Sequence, residues 1–161
     1  MSDVRQWQFR PALPNEAAAA CAVIRQSIEV LCVADHDGDR SILDQWLANK
    51  TPEHVRGWIE INPAGVIVGI GPDGIGGVGA VVRDGKIVLN YVAPEARFCG
   101  VSKGLMRAME CCAAEWGHSF CSLTSTITAH PFYCAYGYQD VGEPVASFGG
   151  KPAFPMRRTI K

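Results

Sequence analysis

The residues best suited to chemistry lie between a predicted strand and a predicted helix, within Asn90–Gly104. A run rich in Val and Leu, Lys86–Val92, leads into a short polar loop, and Gly100 precedes an apolar-periodic segment. Glycine lets a backbone approach a ligand closely, and the unpaired N–H groups of a first helical turn suit phosphate oxygens. The segment therefore predicts a pyrophosphate cradle. Its candidate ligands are Arg97, Cys99, Gly100, Val101, Ser102 and Lys103.

A second group of candidate residues lies further along the chain, in Ala129–Tyr138. The segment places Tyr133 in a short predicted helix that ends at Gly137. A phenol has a pKa of about 10, so it can supply a proton late in the departure of a leaving group. The alternative is that Tyr133 is an aromatic residue at the edge of the core. Tyr136 and Tyr138 are expected to be packing residues.

Together the two segments resemble the signatures of the GNAT superfamily of N-acyltransferases. The order V-x-P, then R-x-x-G-x-S and a helix, at Val92–Ser102, is similar to the acetyl-CoA motif of that family. The segment Ala129–Tyr138 is similar to its A-x-x-F-Y-x-x-x-G-[FY] pattern. Ser102 is a mild departure, because the family usually has Gly or Ala there. The resemblance is sharp over Ile87–Tyr138 and weak before Pro63.

This resemblance implies both a fold and an activity. The fold would be a mixed α/β (α+β) one, with a mostly antiparallel sheet, two splayed parallel central strands and flanking helices. The activity would be direct transfer of an acetyl group from acetyl-CoA, as co-substrate, to a primary amine of a small molecule or peptide. Dimers are common in this fold, so a homodimer is one expected assembly. Two other classes stay open: a non-catalytic acyl-CoA-binding sensor or partner domain, and an α/β domain for another phosphate-bearing ligand.

The resemblance also implies roles for single residues. Backbone groups of Tyr91 and Val92 would bond the pantetheine amides, and an N–H at this strand end would face the thioester carbonyl oxygen. Tyr133 would act as the general acid that protonates the departing thiolate. Thr126 stands where many relatives have an Asn that bonds the cofactor arm, and its hydroxyl would make that contact more weakly.

The sequence defines the acceptor site and the general base less sharply. An acidic run between two predicted helices, Asp35–Asp39, lies near where this fold admits its acceptor. Asp35 or His36 could bind a cationic amine or relay its proton through water. The alternative, which the sequence favours, is a solvated loop whose Asp residues cap helices. The Cys and His residues follow no spacing typical of a metal site, so no metal is expected.

Composition narrows the class of protein. With 161 residues, 48% of them hydrophobic and 19% charged, the chain suits one domain over residues 1–161. A net charge of -1 does not favour a nucleic acid or an anionic membrane as partner. No apolar run approaches the roughly 20 residues that span a bilayer. The odd count of seven cysteines, without a signal-like N-terminus, predicts reduced thiols and a cytoplasmic location.

Hydrophobic periodicity and turn residues predict the element order β-α-α-α-β-β-β-α-β-α-β. Asp84-Gly85 predicts a hairpin turn into the strand Lys86–Val92. The strongest helix is Val101–Trp116, with Glu110 expected on its outward face. Ser41 and Asp44 resemble a capping box, and Pro155 favours an edge position for the last strand.

Overall fold

The computed structural model describes residues 6–160, which form a mixed sheet flanked by helices. The helices are α1 (Ala17–Leu31), α2 (Val33–His36), α3 (Arg40–Leu47), α4 (Pro52–Ile61), α5 (Val101–Glu115) and α6 (His130–Tyr136). The strands are β1 (Gln8–Pro11), β2 (Val66–Gly71), β3 (Gly74–Val81), β4 (Lys86–Val92), β5 (Phe120–Ser125), β6 (Gln139–Asp140), β7 (Val145–Ala146) and β8 (Pro152–Thr159). Within residues 6–160, no helix combines the length and the apolar character that crossing a bilayer requires.

The strands lie in the order β1-β2-β3-β4-β5-β8-β6, with β7 also paired to β8. Every pairing in the described residues is antiparallel except that of β4 with β5. These two parallel strands are joined through α5, as a parallel pair requires a crossover connection. The predicted mixed, mostly antiparallel sheet with a central parallel pair is confirmed.

The parallel strands β4 and β5 pair only at their beginnings. Lys86 lies opposite Ser122 and Ile87 lies opposite Leu123, and the pairing then stops. The carboxyl halves of the two strands are therefore separated, which opens a gap in the middle of the sheet. This is the splay expected of the fold.

A β-bulge in β4 accounts for the separation. Ala80 of β3 lies opposite Leu89, but the next residue, Val81, lies opposite Ile87. Val88 is thus the extra residue of the bulge. A bulge bends its strand and increases its local twist, so it directs β4 away from β5 immediately after their last paired residues.

Small residues in β3 bring α5 close to the sheet. A methyl group added at Gly77 would lie 2.5 Å from Val101, and one at Gly79 would lie 2.9 Å from Met109. These short distances leave room for hydrogen only, so α5 packs directly on the backbone of β3. Helix α1 packs on β3, β4 and α4, on the opposite face. The beginning of α5 is consequently held at the open end of β4.

The acidic run predicted as a loop, Asp35–Asp39, begins inside α2, so that prediction is wrong at Asp35 and His36. The chain leaves this helix through Asp37, whose φ of 55° lies in the left-handed region. Asp39 then caps α3 by accepting the N–H groups of Ser41 and Ile42 at 2.8 and 3.3 Å. The cap of α3 is therefore Asp39, two residues before the predicted Ser41.

Glu110 was expected on the outward face of its helix, and it is buried instead. Its carboxylate accepts hydrogen bonds from Arg158 at 2.8 Å and from the phenols of Tyr136 and Tyr138 at 3.2 and 2.7 Å. Three donors, one of them charged, offset the cost of removing this carboxylate from water.

The last strand, β8, lies inside the sheet, so the edge position predicted from Pro155 is wrong. Proline has no N–H to donate to a neighbouring strand. On the side of β8 that faces away from β5, β6 ends at Asp140 and β7 begins at Val145. Pro155 therefore lies beside the break between these two short strands. Its carbonyl oxygen accepts the N–H of Val141 at 2.8 Å, and the interruption accommodates the missing donor.

Candidate active site

The predicted cradle lies at the N-terminus of α5. Gly100 is the N-cap residue, with a φ of 80° in the left-handed region. No side chain caps the helix, so the first-turn N–H groups of Val101, Ser102 and Lys103 meet no capping acceptor. A 15-residue helix with an uncapped N-terminus can donate to an anion at this point. The structure thus gives the predicted residues the local conformation that a phosphate cradle needs.

The loop before Gly100 exposes an aromatic side chain. Phe98 is 94% exposed and has a φ of 62°, a conformation that is rare for a residue with a side chain. The guanidinium of Arg97 lies 4.7 Å from the centre of its ring. Cys99 is half-buried, and its thiol lies 3.4 Å from the Arg97 carbonyl oxygen. The positive charge of Arg97 therefore stands beside the cradle without a carboxylate partner in the described residues.

The register of β3 and β4 determines which backbone groups face the gap. The N–H of Ala93 donates to the carbonyl of Gly76 at 2.8 Å. In an antiparallel pair, every second residue bonds its neighbour through its backbone, so the N–H and C=O groups of Tyr91 also point toward β3. The N–H and C=O groups of Asn90 and Val92 point the other way, toward β5. Val92 therefore offers backbone groups to the gap, and those of Tyr91 are directed away from it. The cofactor contacts predicted for both residues stay predictions.

Tyr133, the candidate general acid, lies on α6 and is only 6% exposed. Its phenol oxygen accepts a hydrogen bond of 3.1 Å from the side-chain amide of Asn90, on β4. Burial raises the pKa of Tyr133 to about 12, and the bond from Asn90 opposes that shift only in part. The phenol is therefore protonated at neutral pH, and it lies beside the open end of β4.

No sequence pattern predicts a role for Asn90, although this residue lies on the predicted strand that precedes the cradle motif. Its side-chain oxygen Oδ1 is buried and has no hydrogen-bond partner among the described residues. Most buried polar atoms in native proteins are paired. The unsatisfied oxygen points to a donor that the chain itself does not supply.

The phenol of Tyr91 faces the other side of β4, toward α3. It accepts a hydrogen bond of 3.3 Å from the indole N–H of Trp46, and burial raises its pKa. Trp46 also stacks on Phe148, with ring centres 5.9 Å apart. Tyr91 is therefore a packing residue through its side chain.

A strap at residues 147–151 packs against α2 and α3. Lys151 forms an ion pair of 2.6 Å with Asp37, and the Ile42 side chain lies against Gly149, where a methyl group would be 2.3 Å away. With the stacking of Phe148 on Trp46, these contacts join the segment after β7 to the helices before β2. The Asp35–Asp39 run, which the sequence places near the acceptor site, is thus in contact with this strap.

Asp35 is buried and bonded to the loop between β5 and α6. Its carboxylate accepts the backbone N–H groups of Ile127 and Thr128 at 2.7 and 3.2 Å, and the hydroxyl of Thr128 donates to it as well. These bonds give Asp35 a structural role in positioning the loop that leads to α6. Its predicted contact with the acceptor amine stays a prediction.

His36 is also buried and bonded within the chain. Its Nδ1 accepts the N–H of Gly38 at 2.9 Å, and its Nε2 lies 3.0 Å from the carbonyl oxygen of Ile28. Both ring nitrogens therefore have partners, and the ring is held at the end of α1. An acceptor contact through His36 is a prediction that these bonds do not support.

Thr126 lies in the same loop, directly after β5. Its hydroxyl oxygen accepts the N–H of Ala129 at 3.1 Å, which stabilises the turn into α6. The hydroxyl proton remains available as a donor. Thr126 and Val92 lie at the ends of the two splayed strands, on opposite sides of the gap.

A family profile decides the relationship of the chain to known proteins. The profile of the acetyltransferase (GNAT) domain matches residues 49–160, which is more than half of the chain. The chain belongs to the GNAT acetyltransferase family. This membership confirms the resemblance drawn from the two motifs. A search of curated proteins gave no match.

Solved structures share the fold of this GNAT protein. A GCN5-related N-acetyltransferase from Rhodopseudomonas palustris aligns over 94% of both chains, with a TM-score of 0.82 and 21% identity. PaiA N-acetyltransferase from Thermoplasma acidophilum, in complex with coenzyme A, aligns over 95% of this chain and 98% of its own, with a TM-score of 0.70 and 15% identity. YncA from Salmonella typhimurium, solved with its cofactor acetyl-CoA, aligns over 97% and 95%, with a TM-score of 0.70 and 16% identity.

Proposed function

We propose that the protein is an N-acetyltransferase that transfers an acetyl group from acetyl-CoA directly to a primary amine. The observation that carries the proposal is the position of the Tyr133 phenol, bonded to Asn90 beside the gap between β4 and β5. Membership of the GNAT family supports acyl transfer. The complexes of PaiA with coenzyme A and of YncA with acetyl-CoA support the co-substrate.

The residues present fit an acetyl-CoA molecule. The uncapped first turn of α5 after Gly100 would donate to the pyrophosphate, and Arg97 and Lys103 would add positive charge. Along the gap, backbone groups of Val92 would bond the amides of the pantetheine arm. An N–H of that arm would also satisfy the buried Oδ1 of Asn90, which lacks a partner in the described chain.

When bound, acetyl-CoA supplies an acyl group activated by a thiol leaving group. The Tyr133 phenol keeps its proton at neutral pH because its pKa is raised to about 12. The Asn90 amide occupies an acceptor position of the phenol oxygen, so the O–H is free to donate to a departing sulfur. A backbone N–H of Asn90 or Val92, directed into the gap, would stabilise an oxygen on which negative charge develops.

One observation favours a second candidate, a GNAT-like domain that holds acyl-CoA without turnover. The two residues considered as amine ligand or proton relay, Asp35 and His36, are buried and bonded within the chain. If no water-mediated base replaces them, amine attack would be slow. This candidate predicts binding of acetyl-CoA without product.

The test is an acceptor panel assayed with the purified chain and acetyl-CoA. Amino acids, polyamines, aminoglycosides and short peptides are each incubated with the protein, and thiol release is compared with the mass of the products. The proposal expects release of CoA that depends on one amine class and a matching acetylated product. Binding of acetyl-CoA without an acetylated amine across the whole panel would favour the non-catalytic domain.

The proposal extends to the state and location of the chain. Residues 1–161 would act as one domain, and a homodimer is an assembly that the family resemblance suggests. All seven cysteines lie in the described residues, and none is in a disulfide. Unpaired thiols support a reducing compartment, and we infer a cytoplasmic location from them.

A further inference from the structure

A cavity lies between α4 and the sheet, away from the N-terminus of α5. Its volume is about 330 Å³. Its floor is a row of three side chains in register across three strands, Val66, Ala80 and Leu89. The other lining residues include Trp58 of α4, the amides Asn49 and Asn62, and Lys50 from the loop before α4. The cavity is thus mainly apolar, with one cationic side chain.

Among the lysines of residues 6–160, Lys50 is unusual because it is only 8% exposed. Its ammonium donates to the side-chain oxygen of Asn49 at 2.6 Å and lies 6.0 Å from the centre of the Trp58 ring. Within residues 6–160, no carboxylate forms an ion pair with it. Lysine is almost never buried unless it is paired, because an unpaired charge is costly to remove from water.

The position of Lys50 is fixed by its backbone. Its carbonyl oxygen accepts hydrogen bonds from the guanidinium of Arg25 at 2.7 Å and from the thiol of Cys21 at 3.2 Å. Burial lowers the pKa of the Lys50 ammonium, as expected for a cation without a counter-charge. The side chain is therefore held at the cavity wall at an electrostatic cost that a bound anion would offset.

We propose that this cavity binds a small apolar monocarboxylate, with its carboxylate paired to the ammonium of Lys50 and its hydrocarbon part on Trp58 and the three-residue floor. Charge complementarity selects the carboxylate. The apolar walls select the hydrocarbon part. Asn49 accepts from Lys50 through its oxygen, so its amide N–H groups remain to donate to the second carboxylate oxygen. The site is separate from the residues assigned to acetyl transfer and stands independently of that activity.

The test uses octanoate as the acid probe and 1-octanol as its uncharged counterpart. Backbone amide shifts are followed by heteronuclear NMR on the full chain. Octanoate is expected to shift the amides of Val66, Ala80 and Leu89 saturably, and to bind at least about tenfold more tightly than 1-octanol. Lys50→Met should remove that preference, whereas Lys86→Met, which deletes an exposed lysine on β4, should retain it.

Three results would overturn the proposal. They are equal affinities for octanoate and 1-octanol, shifts confined to residues outside the cavity, and unchanged octanoate affinity in Lys50→Met. If Lys50→Met does not fold, the comparison of the two probes on the unaltered chain still decides. Acetyl-CoA binding should be the same in Lys50→Met and in the unaltered protein, so failure of this proposal is distinguishable from failure of the acetyltransferase proposal.

Discussion

The side-chain amide of Asn90 donates a hydrogen bond of 3.1 Å to the phenol oxygen of Tyr133, and this bond joins β4 to α6 at the gap in the sheet. The bulge at Val88 opens that gap two residues earlier, and the cradle at Gly100 follows the end of the same strand. One strand therefore connects the proposed anchor for the cofactor with the proposed proton donor.

Tyr133→Phe should lower kcat by about 10²-fold while leaving acetyl-CoA binding nearly unchanged, because the ring remains and only the proton donor is lost. The measurement is steady-state kinetics with an acceptor identified from the amine panel. Tyr136→Phe is the matched control, since Tyr136 lies on the same helix and bonds to Glu110 instead. Equal kcat values for Tyr133→Phe and the unaltered protein, with chemistry rate-limiting, would make Tyr133 a packing residue.

Asp35→Ala should reduce the free energy of unfolding by about 2 kcal/mol, because the N–H groups of Ile127 and Thr128 lose their acceptor. The measurement is urea unfolding, with Asp73→Ala in the exposed β2–β3 turn as control. An acceptor-binding role predicts something different for Asp35→Asn: a higher KM for the amine with unchanged stability. That result would restore the sequence-based prediction and contradict a purely structural role.

Alkaline pH should destabilise the protein through its tyrosines. Burial raises the pKa of all four, to about 12 for Tyr133 and Tyr136, above the value of about 10 in an unfolded chain. The folded state thus holds these protons more tightly. The resulting stability is complete below about pH 10 and is lost as the pH rises through about 12.

The near-ultraviolet absorbance of phenolate measures this effect. In the folded protein, tyrosine ionisation should begin well above pH 10 and coincide with unfolding, and in urea all four should titrate near pH 10. Reversible ionisation of the tyrosines near pH 10 in protein that remains folded would contradict the burial described for them.

Phe98→Gly should raise the free energy of unfolding by about 0.5–1 kcal/mol. Phe98 has a φ of 62° and is 94% exposed, so glycine relieves the backbone strain without loss of buried surface. Thermal unfolding of the two proteins at matched concentration checks the change. A lower Tm for Phe98→Gly would mean that the contact of the ring with the Arg97 guanidinium outweighs the backbone strain.

The sequence predicted the features that depend on local chemistry. The small residues around Gly100 and the F-Y pair at Tyr133 were the signals that predicted the strand–loop–helix connection and the parallel strands β4 and β5. The hairpin turn at Asp84-Gly85 is also where it was expected, with Gly85 at a φ of 85°. These signals are local because a turn, a glycine conformation or a motif occupies a few consecutive residues.

The features that the sequence did not predict depend on distant partners. Asp35 is buried because backbone N–H groups more than 90 residues away bond to it. Glu110 is buried because Arg158 and two phenols converge on it. Asn90 bonds Tyr133 only because α6 lies beside β4 in the folded chain. The cavity at Lys50 forms only because three strands are aligned in register. No periodicity within one segment contains that information.

The N-terminus of α5 is the proposed binding site for the pyrophosphate of acetyl-CoA, and calorimetric titration of two glycine variants tests this assignment. Gly100→Glu adds bulk and negative charge at the cradle, where φ is 80°. Gly117→Glu makes the same change beyond the other end of α5, where φ is 96° and nothing lies within 4 Å of the added Cβ. Both variants carry a similar backbone strain.

We expect acetyl-CoA to bind to the unaltered protein and to Gly117→Glu with similar affinity. We expect Gly100→Glu to lose this binding while its thermal unfolding remains cooperative. Gly100→Glu that folds and binds acetyl-CoA with the affinity of the unaltered chain would contradict the assignment of the cradle and the proposed function built on it.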